Sequence, residues 1–216
     1  MIALLHAIWQ GDGAFPSGSF AFSNGLEALG EAPLDSVLRD ALLLRWGSAE
    51  RVVLAQAHRA GGDVAAIAAA DAALEAATPP APLRDGSRRN GAAFLLAHAR
   101  IGTPSAEMLR AACRVGVCLG HLAAMQGAVF RALGLDLAAS IASAGYAMLA
   151  ALVSASVRLG RVGVIEGQRA LAAALPTLAN LAATPPPPEA PVGGFVPLLD
   201  IAACRHARSG MRLFAT

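Results

Sequence analysis

At 216 residues the chain is long enough to bury one proper core and suits a single domain. Hydrophobic residues make up 56% of it, aromatics only 5%, and alanine about a quarter, far above ordinary usage; that mixture favours closely packed helices over strands, which draw on aromatic and β-branched side chains. All 17 basic residues are arginine, so the lysine of a phosphate-binding P-loop is absent; the net charge of +2, with no basic run longer than Arg88-Arg89, gives no electrostatic footprint for nucleic acid.

The first ten residues read as a short helix or an extended lead-in. The loop from Gly11 to Ser19 follows, where three glycines and Pro16 punctuate regular structure. A short helix is expected over Ser23–Leu29, stopped by Gly30. From Pro33 to about Ala60 the apolar spacing Leu34, Val37, Leu38, Ala41, Leu42, Val52, Val53 and Ala57 predicts a long amphipathic helix, with Asp35 and Arg39 placed as an i,i+4 pair. Gly61-Gly62 end it, and Asp63 is positioned to cap an alanine-rich helix that Thr78-Pro79-Pro80-Ala81-Pro82 terminates.

Residues 78–87 are expected as a connector before a helix that ends at Gly102. Thr103-Pro104 has the form of a helix start, with a capping hydroxyl and proline at the first helical position. Glu107, Arg110 and Arg114 fall on one face, so the opposite face should be buried. Helical tendency continues to Leu133 with a break near Gly116 or Gly120. Asp136 then caps an uncharged helix of about 137–158. Gly160 and Gly163 break that helix, the next runs from about Ile165 with a kink or restart at Pro176, and 184–196 is a stiff connector built on Pro185–Pro188. A last helix over about Pro197–Ala207 leads to the tail 208–216. The expected fold is therefore all-α, a single-domain bundle of about eight to ten helices with a central apolar helix.

The 21 uncharged residues from 137 to 157 are long enough to span a bilayer. Their serines, glycine and many alanines gain little in lipid, so a core helix apolar on all sides is the expectation, with a small membrane-associated protein as the alternative. Cys113, Cys118 and Cys204 form an odd set without framework spacing, and no charged segment precedes the apolar N-terminus, which points to a reducing cytoplasm. Cys118, His121 and Met125, spaced i+3 and i+4, place three donors on one helical stripe, with Cys113 nearby. The stripe is apolar throughout, so buried thiols packed as small hydrophobes are favoured and Cys113, Cys118 and His121 stand as weak metal candidates. There is no G-x-S-x-G elbow and no HExxH helix, which sets a helical enzyme with an unrecognised site behind a non-catalytic role. The glycine–proline loop admits two uses. Phe15, Phe20 and Phe22 can anchor it in the core, or its small residues can present backbone groups to a partner.

The stretch Asp12-Gly13-Ala14-Phe15-Pro16-Ser17-Gly18-Ser19-Phe20-Ala21-Phe22-Ser23-Asn24-Gly25-Leu26-Glu27 closely resembles the N-terminal signature of the UreF family. Arg89-Asn90-Gly91-Ala92-Ala93-Phe94, then Val153 to Leu159 with Gly167-Gln168-Arg169, and last Arg205-His206 and Arg212-Leu213-Phe214 are similar to later family blocks in the same order. The tail departs from the family pattern at Ala207 and Gly210, which removes a charge and a packing anchor. The resemblance implies an all-α homodimer without a cofactor of its own. It further implies assembly with the accessory protein UreD (also called UreH), recruitment of the GTPase UreG to apo-urease, and nickel handled by the assembled complex. The partner-contact residues it implies are Phe15, Pro16, Ser17, Gly18, Ser19, Phe20 and Glu27 at one end and Arg205, His206, Arg212, Leu213 and Phe214 at the other.

Overall fold

In the computed structural model the described residues are all except 18–21, 24, 31, 207–212, 215 and 216. They form helices α1 (Ile2–Gly11), α2 (Leu34–Asp40), α3 (Arg51–Arg59), α4 (Val64–Ala77), α5 (Ala81–Ile101), α6 (Ala106–Arg114), α7 (Leu122–Ala132), α8 (Leu137–Arg158), α9 (Val164–Ala183) and α10 (Pro197–His206). A 3-10 turn covers Leu26–Ala28, and a π-helical segment, Ala41–Glu50, joins α2 to α3. No strand occurs among the described residues, as the alanine-rich, aromatic-poor composition predicts.

The most extensive helix-to-helix packing is the crossing of α3 and α7. A side chain on Gly127 would place its Cβ 2.3 Å from the Leu54 carbonyl and 3.0 Å from the Ala57 Cβ, so only glycine lets the backbones approach this closely. Ala123, Ala124 and Ala128 continue the small face of α7. Larger side chains, Leu54, Met125, Val129 and Phe130, fill the space around the crossing and are almost fully buried.

Caps fix several boundaries. The Asp63 carboxylate accepts from the Ala65 and Ala66 amides, and Asp136 accepts from Ala139, both as expected. Glu107 pairs with Arg110 at 2.7 Å and Arg114 at 3.1 Å while Ala106, Leu109 and Ala112 of α6 are buried.

Other local expectations need correcting. The Thr103 hydroxyl does not cap α6. It bonds His98 Nδ1 at 2.8 Å, and Ser105, in a left-handed conformation with φ 67°, takes the cap position without a side-chain bond. Arg39 pairs with its neighbour Asp40 rather than with Asp35. Pro80-Ala81-Pro82 opens α5 instead of forming a connector, because the first turn of a helix needs no proline N–H. Helix α9 runs through Pro176 without restarting.

Helix α8 is the long apolar helix, but it is not buried on all sides. Just under half of its most apolar window, 44%, is enclosed, by α1, α7 and α9 among others. Ser143 donates to the Ala7 carbonyl, and Ser140 and Ser156 satisfy carbonyls one turn back. The proline connector lies along α3, where guanidinium and amide donors meet its free carbonyls. Arg59 donates to Pro186 at 2.6 Å, Gln56 to Pro188 and Ala190, and Arg51 to Leu181 and Thr184.

Replacing Gly127 by Val is expected to cost at least about 2 kcal/mol through overpacking at the α3–α7 crossing. Gly163→Ala, where no atom lies within 4 Å of the added Cβ, should stay within about 0.5 kcal/mol of the parent. Urea midpoints of the two variants compare them directly, and equal midpoints would contradict the crossing.

Candidate partner-docking site

The loop after α1 is held from within. The Ala14 amide bonds the Asp12 carboxylate at 2.9 Å and the Phe15 amide bonds the Asp12 carbonyl at 3.0 Å, a local turn that Asp favours. Phe15 is thereby driven into the core, with ring centroids 4.9 Å from His98, 5.4 Å from Trp9 and 5.9 Å from Phe94. Phe15 thus serves as an anchor, Pro16 is exposed and Ser17 is half-buried. Of the two uses left open for this loop, Phe15 fills the structural one and Pro16 stands free for the other.

His98 is the polar centre of this aromatic cluster. It has no solvent-exposed surface, and burial drives its pKa from the usual 6.5 down to about 4. It is therefore neutral at pH 7. Its Nε2–H donates to Gln10 Oε1 at 3.2 Å and its Nδ1 accepts from the Thr103 hydroxyl.

The second half of the signature turns back onto the C-terminal helix. The Ser23 hydroxyl accepts from the Glu27 amide at 3.4 Å and the Ser23 carbonyl from the Leu26 amide at 3.0 Å, closing the 3-10 turn. Gly25 sits at φ 89°, and a Cβ there would lie 2.9 Å from the Leu199 carbonyl of α10. Both the left-handed backbone and the close approach call for glycine.

Glu27 completes the join between the chain ends. Its Oε1 accepts from the Leu213 amide at 2.7 Å and its Oε2 from the Phe214 amide at 3.1 Å. Phe214 is buried, and the Arg158 guanidinium lies 4.4 Å from its ring centroid, a cation–π contact. A carboxylate receiving two backbone amides is a charge-assisted clamp stronger than neutral pairs. Glu27 and Phe214, from the two segments singled out in the sequence, therefore meet in space. Arg205 and Leu213 are exposed, and His206 ends α10. Gly18, Ser19, Phe20, Arg212 and the His206 side chain lie outside the described residues.

On α10 and just before it lies an apolar row that sequence reasoning missed. Phe195 and Leu198 are 79% and 73% exposed and Ile201 is half exposed. Leu43 and Leu44 adjoin it, since the Phe195 amide donates to the Leu44 carbonyl. The spacing of three in 195, 198 and 201 was the available signal, but in a helix of mixed faces it does not reveal which face is outward. Arg45 fixes α10 to the π segment through Asp200 at 2.9 Å.

The cysteine–histidine stripe is not formed. Helix α6 ends at Arg114 and α7 begins at Leu122, so Cys118 and His121 stand in the intervening loop, where Gly116 and Gly120 take positive φ. The buried Asp71 organises that loop, accepting from the amides of Leu119, Gly120 and His121 at 2.7 to 2.9 Å. His121 Nε2 turns to Glu75 at 2.7 Å, and Glu75 also pairs with Arg84 and Arg88. Burial pushes the Cys113 thiol up to about 11 and raises that of Cys118, which disfavours the thiolates a metal needs. Among the described residues no three His, Cys, Asp or Glu side chains converge on a point that could hold a metal ion. Asp71 and Glu75, an i,i+4 pair of acids on an otherwise alanine-rich helix, were the legible sign of this network.

A family model for UreF matches residues 30–175, the part of the chain between the two clamped ends. Full-length similarity covers the ends as well. The chain is 32% identical over 228 aligned residues to the urease accessory protein UreF of Azorhizobium caulinodans, covering 98% of this chain and 94% of that one. It is 34% identical to the protein of the same name from Cereibacter sphaeroides, covering 99% of each. To that of Trichodesmium erythraeum it is 27% identical, covering 94% and 93%.

In a Glu27→Ala variant the Leu213 and Phe214 amides should exchange hydrogen about tenfold faster or more, the equivalent of roughly 1.4 kcal/mol of lost clamp; unchanged exchange would contradict the clamp. The His98 pKa gives a second expectation. The folded value lies below the unfolded one, so its stabilising contribution is complete above about pH 6.5 and is lost as pH falls toward 4. Melting curves should show the parent losing on the order of 2 kcal/mol more than His98→Gln across that window.

Proposed function

The chain belongs to the UreF family, and on that premise we propose that it is a non-catalytic scaffold in the nickel-dependent maturation of urease. In this reading it binds the accessory protein UreD and brings the GTPase UreG to apo-urease, nickel being the cargo of the assembled complex. Nucleotide hydrolysis falls to the partner, because a chain without lysine has no P-loop of its own. The assembly works in the cytoplasm, where the three cysteines, all free, stay reduced. Self-association into a homodimer belongs to the same proposal, and the exposed Leu4, Leu5 and Ile8 of α1 offer a surface of the apolar kind that pairing of copies uses.

The observation that carries this reading is the junction of the chain ends. The family signature supplies Glu27 and the tail supplies Leu213 and Phe214, while α10, against which the Gly25 turn packs, carries the exposed Leu198 and Ile201 with the exposed Phe195 just before it. Large apolar side chains exposed in a row are the composition of an interface core. Pro16 and Arg205, both exposed, extend the same contact segments, with Ser17, Gly18, Ser19, Phe20, His206 and Arg212 assigned to it by family likeness alone.

Co-expression with UreD and UreG tests the proposal. Deleting residues 208–216, or replacing Leu198 by Asp, should lower UreD or UreG capture at least about tenfold and reduce urease activation, with the helical circular dichroism spectrum unchanged. Full capture by both variants would reject this surface as the docking site.

A further inference from the structure

Helix α10 presents a single face to solvent. Leu199, Ala202 and Ala203 are buried and Asp200 is held by Arg45, whereas Leu198, Ile201, Cys204 and Arg205 are exposed. At about 100° per residue positions 198, 201 and 205 fall on one stripe, spaced i, i+3 and i+7. Arg205 therefore stands on the same face as Leu198 and Ile201, at its C-terminal end and roughly 10 Å from Leu198 along the axis. No described carboxylate forms an ion pair with it.

The charge of the chain is segregated at the same end. After Asp200 the sequence holds three arginines, Arg205, Arg208 and Arg212, and no acidic residue, while the 200 residues before that point hold fourteen arginines against fifteen acids. The net positive charge of the whole chain thus comes from its last sixteen residues. Charge gathered at one end of an apolar row steers the approach of an oppositely charged surface and fixes which way round it docks.

We propose that α10 docks as a helix into a partner's apolar groove that is lined by carboxylates at the end meeting Arg205. Leu198 and Ile201 are the anchors of a helix-in-groove contact, and Arg205 supplies the charge that selects an acidic rim and sets the direction of the helix. This inference rests on the docking reading above and adds the chemistry of the partner's side. A second copy of the chain is a poorer occupant. In a symmetric pairing of the two α10 faces the only acid on the helix is Asp200, which Arg45 already holds. An anionic bilayer is also a poorer match, since a helix lying on it carries basic groups along its polar face, and α10 carries its arginine at one end.

The test titrates the full chain with purified UreD and, separately, with UreG, at low and at high salt, with folding of each variant checked by circular dichroism. The protein whose binding Leu198→Asp weakens is the one that receives α10. For that protein, Arg205→Glu should weaken binding at least about tenfold at low salt and Arg205→Lys should keep it within about threefold of the parent. Added salt should weaken binding of the parent more than binding of Arg205→Glu. A loss with Leu198→Asp but parental binding by Arg205→Glu, or binding indifferent to salt, would overturn the acidic groove and leave the docking reading standing. Undiminished binding of both proteins by Leu198→Asp would overturn the two together. A dimer of the chain that Leu198→Asp dissociates, or binding to phosphatidylserine vesicles that Leu198→Asp abolishes, would give the face to a second copy or to a bilayer and would likewise overturn the proposal.

Discussion

The amides of Leu213 and Phe214 lie beyond the last helix, and an unpaired donor beside a buried ring is costly. Glu27 supplies both acceptors. The burial of Phe214 and its stacking under Arg158 follow from that pairing, and so does the adjacency of two segments 186 residues apart. Glu27 is itself placed by Ser23 and by Gly25, which lets the turn press on α10. The clamp therefore couples a short signature motif to the position of the exposed apolar row on the C-terminal side.

Small residues and arginines make the rest of the architecture possible. Alanine and glycine bring α3 and α7 into near backbone contact, so a core with few aromatics still packs closely. Three of the aromatics, Phe15, Trp9 and Phe94, gather around His98 and fasten the N-terminal loop to the bundle. Arginine has a structural use here that its abundance alone did not announce. Arg51, Arg59 and Arg84 reach carbonyls that helix ends and prolines leave unpaired, a task suited to a planar group with several donors.

Much of the fold was legible because it rests on local rules. Asp63 and Asp136 cap where their sequence positions say they should, and the charged face of α6 predicts its buried one. Two of the failures involve a side chain claimed by another partner or a backbone that leaves the helix. Thr103 forsook its cap for His98, and the Cys118–His121–Met125 stripe dissolved because two glycines open a loop that Asp71 then organises. Of the candidate site, Glu27 and Phe214 were reachable only through family likeness, because no periodicity shows that chain ends meet. That the row Phe195, Leu198 and Ile201 faces outward was invisible in the sequence, as it depends on which helix faces remain uncovered.

The most direct measurement is the affinity for UreD of four proteins: the parent, Glu27→Ala, the chain lacking residues 208–216, and the two changes combined. If Glu27 acts by holding the tail, each single change weakens binding and the combined protein binds no worse than the truncated one. Additive losses would place Glu27 in contact with the partner independently of the tail, and four equal affinities would remove the joined ends from the docking surface altogether.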